Sequence, residues 1–251
     1  MRIVVAGASG VVGRHVVRTA ELGGHDVVPL SRASGVDLTS GRGLVERLEG
    51  VDAVIDCLGP ISQRAGVVAE FFKTTSGHLL EAGAEAGVGH HVTLSIVGID
   101  EVPTGYYRGK LAQERAVRGS GRPATILRAT QFHEFARQMT ERARLGPLVM
   151  APRMLSAPIA AAEVAEALVD LAARPPSERT LEIGGPEQLS MVDMVRDVAR
   201  SDGLRAVVLP VPLPGGGPAA RSGALVPRDP WRVGRQRFEE WLPTSRTGPA
   251  R

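Results

Sequence analysis

The segment Val4-Val5-Ala6-Gly7-Ala8-Ser9-Gly10-Val11-Val12-Gly13-Arg14 constrains the fold more than any other stretch. Its three glycines read G-x-x-G-x-x-G. The apolar run from Ile3 to Ala6 in front of them predicts a strand, and Val11 to Leu22 behind them predicts a helix. A strand, a glycine turn and a helix in that order set backbone N–H groups at a helix N-terminus, where a diphosphate is held. Gly7 permits the sharp turn. Gly10, without a Cβ, lets a pyrophosphate approach the backbone, and Gly13 lets the helix pack close to the strand. The binding loop then comprises Gly7, Ser9, Gly10, Val11, Val12, Gly13 and Arg14.

Strand and helix patterns alternate after this loop, which argues for a parallel sheet with crossover helices. Strands are predicted at Val27–Leu30, Val51–Leu58, His91–Val97 and Ala124–Leu127. Helices are predicted over 43–48, 65–86 and 106–118, the last two stopped by Gly87 and Gly119. Pro29 costs a ladder donor and belongs near its strand's end. Beyond Arg128 the rhythm changes. A helix is predicted over 131–145, an irregular Met- and Pro-rich stretch over 147–158, and an Ala-rich helix over 161–173. A short strand over 180–183 precedes a helix capped by Ser190, with a final strand over 207–211. A loop follows over 210–230, then a terminal helix over 235–242. With 251 residues and 43% apolar content the chain supports one α/β unit. The expected fold is a doubly wound parallel sheet (a Rossmann fold) with a small C-terminal lobe. Roughly residues 1–130 form the cofactor part, 131–243 the lobe, and 244–251 a flexible tail.

An acid at the end of the second strand would bond a ribose 2′-hydroxyl and repel a 2′-phosphate. This chain has Ser31-Arg32 there, and Arg14 adds a second cation, so NADP(H) is preferred to NAD(H). Asp37, next to Leu38, can accept from an adenine amino group or cap a turn. Cys57, Leu58 and Gly59 end the third strand, where Gly59 lets the backbone pass close to the adenosine. Cys57 itself reads as an inert small hydrophobe.

A net charge of +3 without blocks of like charge points away from nucleic acid. A single cysteine allows no intrachain disulfide and no cysteine-based zinc site, and no metal is expected. No apolar run approaches a membrane span. A cytoplasmic protein acting on a small molecule is expected.

A second cluster carries chemistry. Tyr106 and Lys110 stand four apart and share a helix face. An ammonium beside a phenol favours the phenolate and lowers a pKa of about 10. Ser95, near the C-terminal end of a strand, lies where open sheets place ligands, and its hydroxyl can hold a carbonyl oxygen. The nicotinamide would supply the hydride. Tyr107 points roughly 100° away and lines the pocket or packs. Thr130, Gln131 and His133 follow a strand end as pocket candidates, with His133 either a proton donor or a hydrogen-bonded structural residue. Met150 and Met154 either shape an apolar pocket or fill a gap.

These residues together resemble the short-chain dehydrogenase/reductase superfamily in its atypical, NmrA-like, NAD(P)H-binding branch. The likeness rests on Gly7, Gly10, Gly13, Arg32, Asp37-Leu38, Tyr106 and Lys110. It extends to Arg128-Ala129-Thr130-Gln131-Phe132, similar to the segment that passes the nicotinamide, and to Gly184-Gly185-Pro186-Glu187. The resemblance implies an NADP(H)-dependent reduction of a carbonyl, enone or quinone, or the reverse oxidation. Ser95 would orient the substrate, Tyr106 would act as acid/base, and Lys110 would lower the tyrosine's pKa and hold the nicotinamide ribose. It also implies a homodimer through the long helices. The chain departs from the family pattern where Ile96 replaces a second serine and where Ser95 and Tyr106 stand only eleven apart. Members of this branch also act as redox sensors without turnover, and a non-redox isomerase or cyclase can reuse the same pocket.

Overall fold

The computed structural model describes all residues except Ile61, Gln63, Pro103, Glu178, Pro214 and 245–251. The expected flexible tail therefore lies, from residue 245 on, outside the described residues. The chain opens with β1 (Arg2–Ala6), α1 (Gly13–Leu22), β2 (Asp26–Leu30), α2 (Leu44–Leu48) and β3 (Ala53–Asp56). It continues through α3 (Ala65–Glu85), β4 (His90–Ile96), α4 (Gly105–Gly119) and β5 (Ala124–Ala129). Then come α5 (His133–Arg142), β6 (Arg144–Leu145), β7 (Leu148–Pro152), β8 (Leu155–Ser156) and α6 (Ala161–Ala172). The last elements are β9 (Leu181–Gly184), β10 (Leu189–Ser190), α7 (Met191–Ser201), β11 (Val207–Val211), α8 (Gly217–Arg221), β12 (Arg232–Val233) and α9 (Phe238–Thr244).

Seven strands form one sheet in the order β12-β9-β5-β4-β3-β1-β2, every neighbour parallel. Both faces are covered, so β1 reads as a continuous apolar run rather than an alternating one. Ile3 and Val5 pack with Val16 and Leu168 on the face of α1 and α6. Val4 and Ala6 pack with Leu44, Leu48 and Leu79 on the opposite face. Pro29 sits near the end of β2, one residue before Leu30, as expected. The strand tolerates it because β2 is the sheet edge and needs donors on one side only. Beside β1 the chain runs first to β2 on one side and then to β3 on the other. Ligands of open α/β sheets bind at such a switch point, outside the C-terminal strand ends.

The later residues depart from expectation in several places. The stretch over 147–158 is not irregular: β7 pairs with β6 and with β11 in a three-stranded sheet, and β8 pairs with β10. The strand over 207–211 therefore belongs to this small sheet, and it is β9 and β12 that extend the large one. The helix expected over 131–145 spans only His133–Arg142, because the chain turns there to form β6. The expected loop over 210–230 contains α8. Ser190 begins α7 without a side-chain cap bond. α5, β7 and α7 to α9 enclose a second apolar core around Val149, Met154, Met191, Val195 and Trp241.

Candidate active site

The glycine loop lies at the switch point. Gly7 has φ +81°, a conformation that favours glycine, and its N–H donates to Leu30 O at 2.9 Å, tying β1 to β2. A Cβ on Gly13 would lie 2.1 Å from Gly7 O, so no other residue lets α1 approach the strand this closely. α1 starts without a side-chain cap or an acidic residue in its first turn. Arg14 and His15 N–H donate to Gly10 O and Val12 O at 3.2 and 2.9 Å, so an anion would meet the positive dipole end through the N–H groups of Val11, Val12 and Gly13. A cleft of about 400 Å³ adjoins the loop, with Ser9, Arg14, Ser31 and Ser34 in its walls.

Ser31 and Ser34 cap each other: Ser31 N–H donates to Ser34 Oγ at 2.9 Å, and Ser34 N–H to Ser31 Oγ at 3.3 Å. Ser34 was missed by sequence reasoning, although Ser-x-x-Ser after a strand is a recognisable cap signal. Arg32 is exposed in the turn, outside the walls of the cleft. Asp37 caps its own turn, with Oδ1 accepting from Thr39 N–H at 2.9 Å and from the Thr39 hydroxyl at 2.6 Å. Those bonds hold its carboxyl below the usual range. Leu38 is core, and its carbonyl lies 2.9 Å from His78 Nδ1. Val11, Val12 and Ala129 pack in the core that carries the loop, together with Cys57 and Phe132. Burial and neighbouring Asp56 push the Cys57 thiol far up, leaving it unreactive. Leu58 N–H donates to Asp56 Oδ1 at 3.0 Å, and Gly59 is exposed beyond it. The N–H groups of Val11 to Gly13 and Arg14 in the cleft wall fit the phosphates of a dinucleotide.

Thr104 starts α4, its hydroxyl accepting from Tyr107 N–H at 3.2 Å. One turn of this helix presents Tyr106 and Lys110 to the same neighbour. The Tyr106 ring meets Phe72 edge-on at 6.1 Å, and Lys110 Nζ lies 4.5 Å over that ring. The Tyr106 hydroxyl reaches Gly59 at the end of β3. Lys110 is 4% exposed, and Nζ donates to Leu94 O at 2.6 Å and to Gln113 Oε1 at 2.7 Å.

This corrects the expected electrostatics. The ammonium serves Leu94 and Gln113, while burial and the Asp56 carboxylate push the Tyr106 phenol up to about 12. Burial likewise drives Lys110 down to about 8, against the opposing pull of Asp56.

Ser95 is also placed differently from expectation. It is 1% exposed, and its hydroxyl donates to Glu114 Oε1 at 2.6 Å. Glu114 in turn accepts from Arg128 Nε and Nη2, each at 2.8 Å, and from Arg118 at 3.0 Å. Sequence spacing cannot reveal this carboxylate, which lies a whole helix away from the serine. Ser95 is thereby tied into the sheet–helix interface and not brought to Tyr106.

Tyr107 accepts from Gln131 Nε2 at 3.1 Å, and Gln131 Oε1 accepts from the Ser156 hydroxyl. The Thr130 hydroxyl donates to Ala157 O. His133 takes the structural role: it is fully buried against Phe238 and Trp241, and Nε2 donates to Pro158 O at 3.0 Å. Burial lowers it to about 4, so at neutral pH it is a neutral imidazole and not a general acid. Met154 packs in the second core, and Met150 stands on the outer face of the three-stranded sheet, so neither shapes a pocket beside Tyr106. Among the described residues no group of three or more His, Cys, Asp or Glu could hold a metal ion, and no helix is long and apolar enough to cross a membrane.

Fold and loop together define a dinucleotide-binding Rossmann protein. The chain belongs to the NAD(P)H-binding family, whose model matches residues 7–175. No curated protein matches the sequence. Solved structures that share the fold include the following three. NADPH-dependent quinone oxidoreductase QOR2 from Escherichia coli, complexed with NADPH, is 16% identical with a TM-score of 0.73 over 96% of this chain and 99% of that one. MoeE5 in complex with UDP-glucuronic acid and NAD is 20% identical, with a TM-score of 0.74 over 97% of each chain. A short-chain dehydrogenase/reductase superfamily protein from Agrobacterium tumefaciens with bound NAD is 18% identical, with a TM-score of 0.70 over 98% of this chain and 96% of that one.

Proposed function

We propose that this protein is an NADPH-dependent reductase of a small carbonyl, enone or quinone, with Tyr106 as proton donor. One observation carries the reading: the Tyr106 hydroxyl stands at the end of β3, beside the switch point, and its surroundings keep it protonated. A reduction needs an acid at the substrate oxygen, and a neutral phenol is one; the reverse oxidation would need the phenolate, which burial and Asp56 oppose.

The amides of the glycine loop hold the pyrophosphate, and Arg14 with Ser31 and Ser34 receives the 2′-phosphate. When bound, the cofactor supplies the hydride. Tyr106 gives its proton to the substrate oxygen as negative charge develops there. Lys110 has three N–H groups, of which Leu94 and Gln113 take two. The third holds a ribose hydroxyl. QOR2 is a quinone oxidoreductase of the same fold, and a quinone suits a site where one phenol is the only acid required. The test is consumption of NADPH with a panel of quinones, enones and aldehydes. The reading expects turnover with one class and a loss of about 10²–10⁴-fold in Tyr106→Phe at unchanged NADPH affinity; equal rates in the two proteins would overturn it.

A second reading is supported by Ser95. Its hydroxyl is bound to Glu114, so a substrate-orienting serine is missing from the site. A redox sensor that binds NADP(H) without turnover needs no such serine. Tight NADPH binding with no consumption across the panel would favour it.

A further inference from the structure

Beneath Lys110, the interior between β3, β4, α3 and α4 holds a polar chain that proton donation by Tyr106 does not itself require. Asp56, the last residue of β3, is wholly buried, as are Ser76 and Gln113. Asp56 Oδ2 accepts from Gln113 Nε2 at 2.9 Å and from the Ser76 hydroxyl at 3.2 Å. Gln113 Nε2 also donates to Ser76 Oγ at 2.9 Å, and Gln113 Oε1 faces the ammonium of Lys110 at 2.7 Å. The amide thus stands between a buried anion and a buried cation. It has one stable orientation, oxygen to the ammonium and NH₂ to the carboxylate, because the reverse would set donor against donor and acceptor against acceptor. Two charges that would each be costly alone are joined through its dipole.

We propose that Asp56, acting through Gln113, is a positioning residue for Lys110, keeping the ammonium charged and turned so that its remaining proton meets the cofactor's ribose. This rests on the reading of Lys110 as a cofactor ligand. Leu94 O fixes a second N–H, and no acceptor among the described residues takes the third.

The charged and titratable groups around the ammonium are few. β3 contributes Asp56, the residue after it is Cys57, and α4 contributes Tyr106 and Glu114, the latter shared with Arg128 of β5. β4 contributes His91, whose Nε2 lies 3.9 Å from Asp56 Oδ2. α3 contributes Phe72 and Ser76, which do not titrate. Burial drives Cys57 far up, Tyr106 up to about 12 and His91 down, so a transition near 8 belongs to Lys110.

The test is the pH dependence of NADPH binding, read by nicotinamide fluorescence on the whole chain, with a melting curve for each variant. In the wild type, affinity falls as pH rises through about 8. Asp56→Asn keeps an acceptor for Gln113 but removes the charge, so the fall moves to lower pH by about one unit. Above the transition the affinity is up to about tenfold weaker than wild type. Gln113→Met moves it in the same direction, and the double variant is no worse than the worse single, as two links of one chain require. If Asp56→Asn does not fold, Gln113→Met alone decides. Melting temperatures that drop while the transition stays in place would overturn the proposal and leave the chain a packing feature. Lys110→Met separates the two readings. Unchanged binding with the alkaline fall intact would mean that Lys110 is not the ligand. Loss of the fall in Lys110→Met, with no shift in the other variants, would sink the relay alone.

Discussion

The Tyr106 hydroxyl closes over Gly59: a methyl group on that glycine would lie 2.8 Å from the phenolic oxygen. The contact joins the end of β3, at the cofactor's switch point, to the first turn of α4. Gly59→Ala must therefore push the hydroxyl aside. The tyrosine ring, held edge-on by Phe72, yields by about an ångström, and turnover falls roughly 10²-fold. The melting temperature stays near wild type, because Gly59 is exposed. Steady-state kinetics with a cofactor titration check this.

Gly13→Ala meets backbone instead of a side-chain end. Its Cβ would lie 2.1 Å from Gly7 O and 2.8 Å from Gly7 C, so α1 has to move away from β1. A loss of about 2–3 kcal/mol is expected in urea unfolding, with cofactor binding abolished together with the loop geometry.

Coenzyme choice is decided at the end of β2. Ser31→Asp places a carboxylate in the wall that Arg14 and Ser34 share. It repels a 2′-phosphate and accepts from a ribose 2′-hydroxyl. The ratio of NADH to NADPH dissociation constants should fall by about two orders of magnitude, as a lost charge-assisted contact of about 1.5–3 kcal/mol and a new repulsion imply.

His133 makes stability pH-dependent. Its folded value, about 4, lies below the ordinary 6.5, so between those limits the unfolded chain binds more protons than the folded one. Stability is therefore lost as pH falls through that window, at about 1 kcal/mol per unit. His133→Gln keeps a donor near Pro158 O and removes the titration. Urea melts at about pH 7 and about pH 5 should show a smaller acid loss for the variant than for wild type.

The first half of the chain was legible because its signals are local. Gly7, Gly10 and Gly13 stand in one loop, and Ile3 to Ala6 of β1 is an uninterrupted apolar run. The lobe was not, because its strands find partners far away: β7 is satisfied by β11, with Leu148 opposite Val207, and the prolines between suggest loop. Tyr106 and Lys110 share a face, as their spacing demanded. What their side chains do was hidden, because Lys110 answers to Gln113 and, through it, to Asp56, 57 positions before that glutamine. Ser95 likewise answers to Glu114, from the next helix. A carboxylate such as Asp56 inside an otherwise apolar strand is the signal that would have disclosed the relay.

In the proposed function the glycine loop binds a phosphorylated nicotinamide dinucleotide and Tyr106 stands ready to protonate whatever that cofactor reduces. The most direct measurement is a titration of the purified protein with NADPH and NADH, followed by nicotinamide fluorescence, in wild type and Tyr106→Phe. Saturable NADPH binding is expected, tighter than NADH and equal in the two proteins. Failure of both dinucleotides to bind the wild type would contradict it.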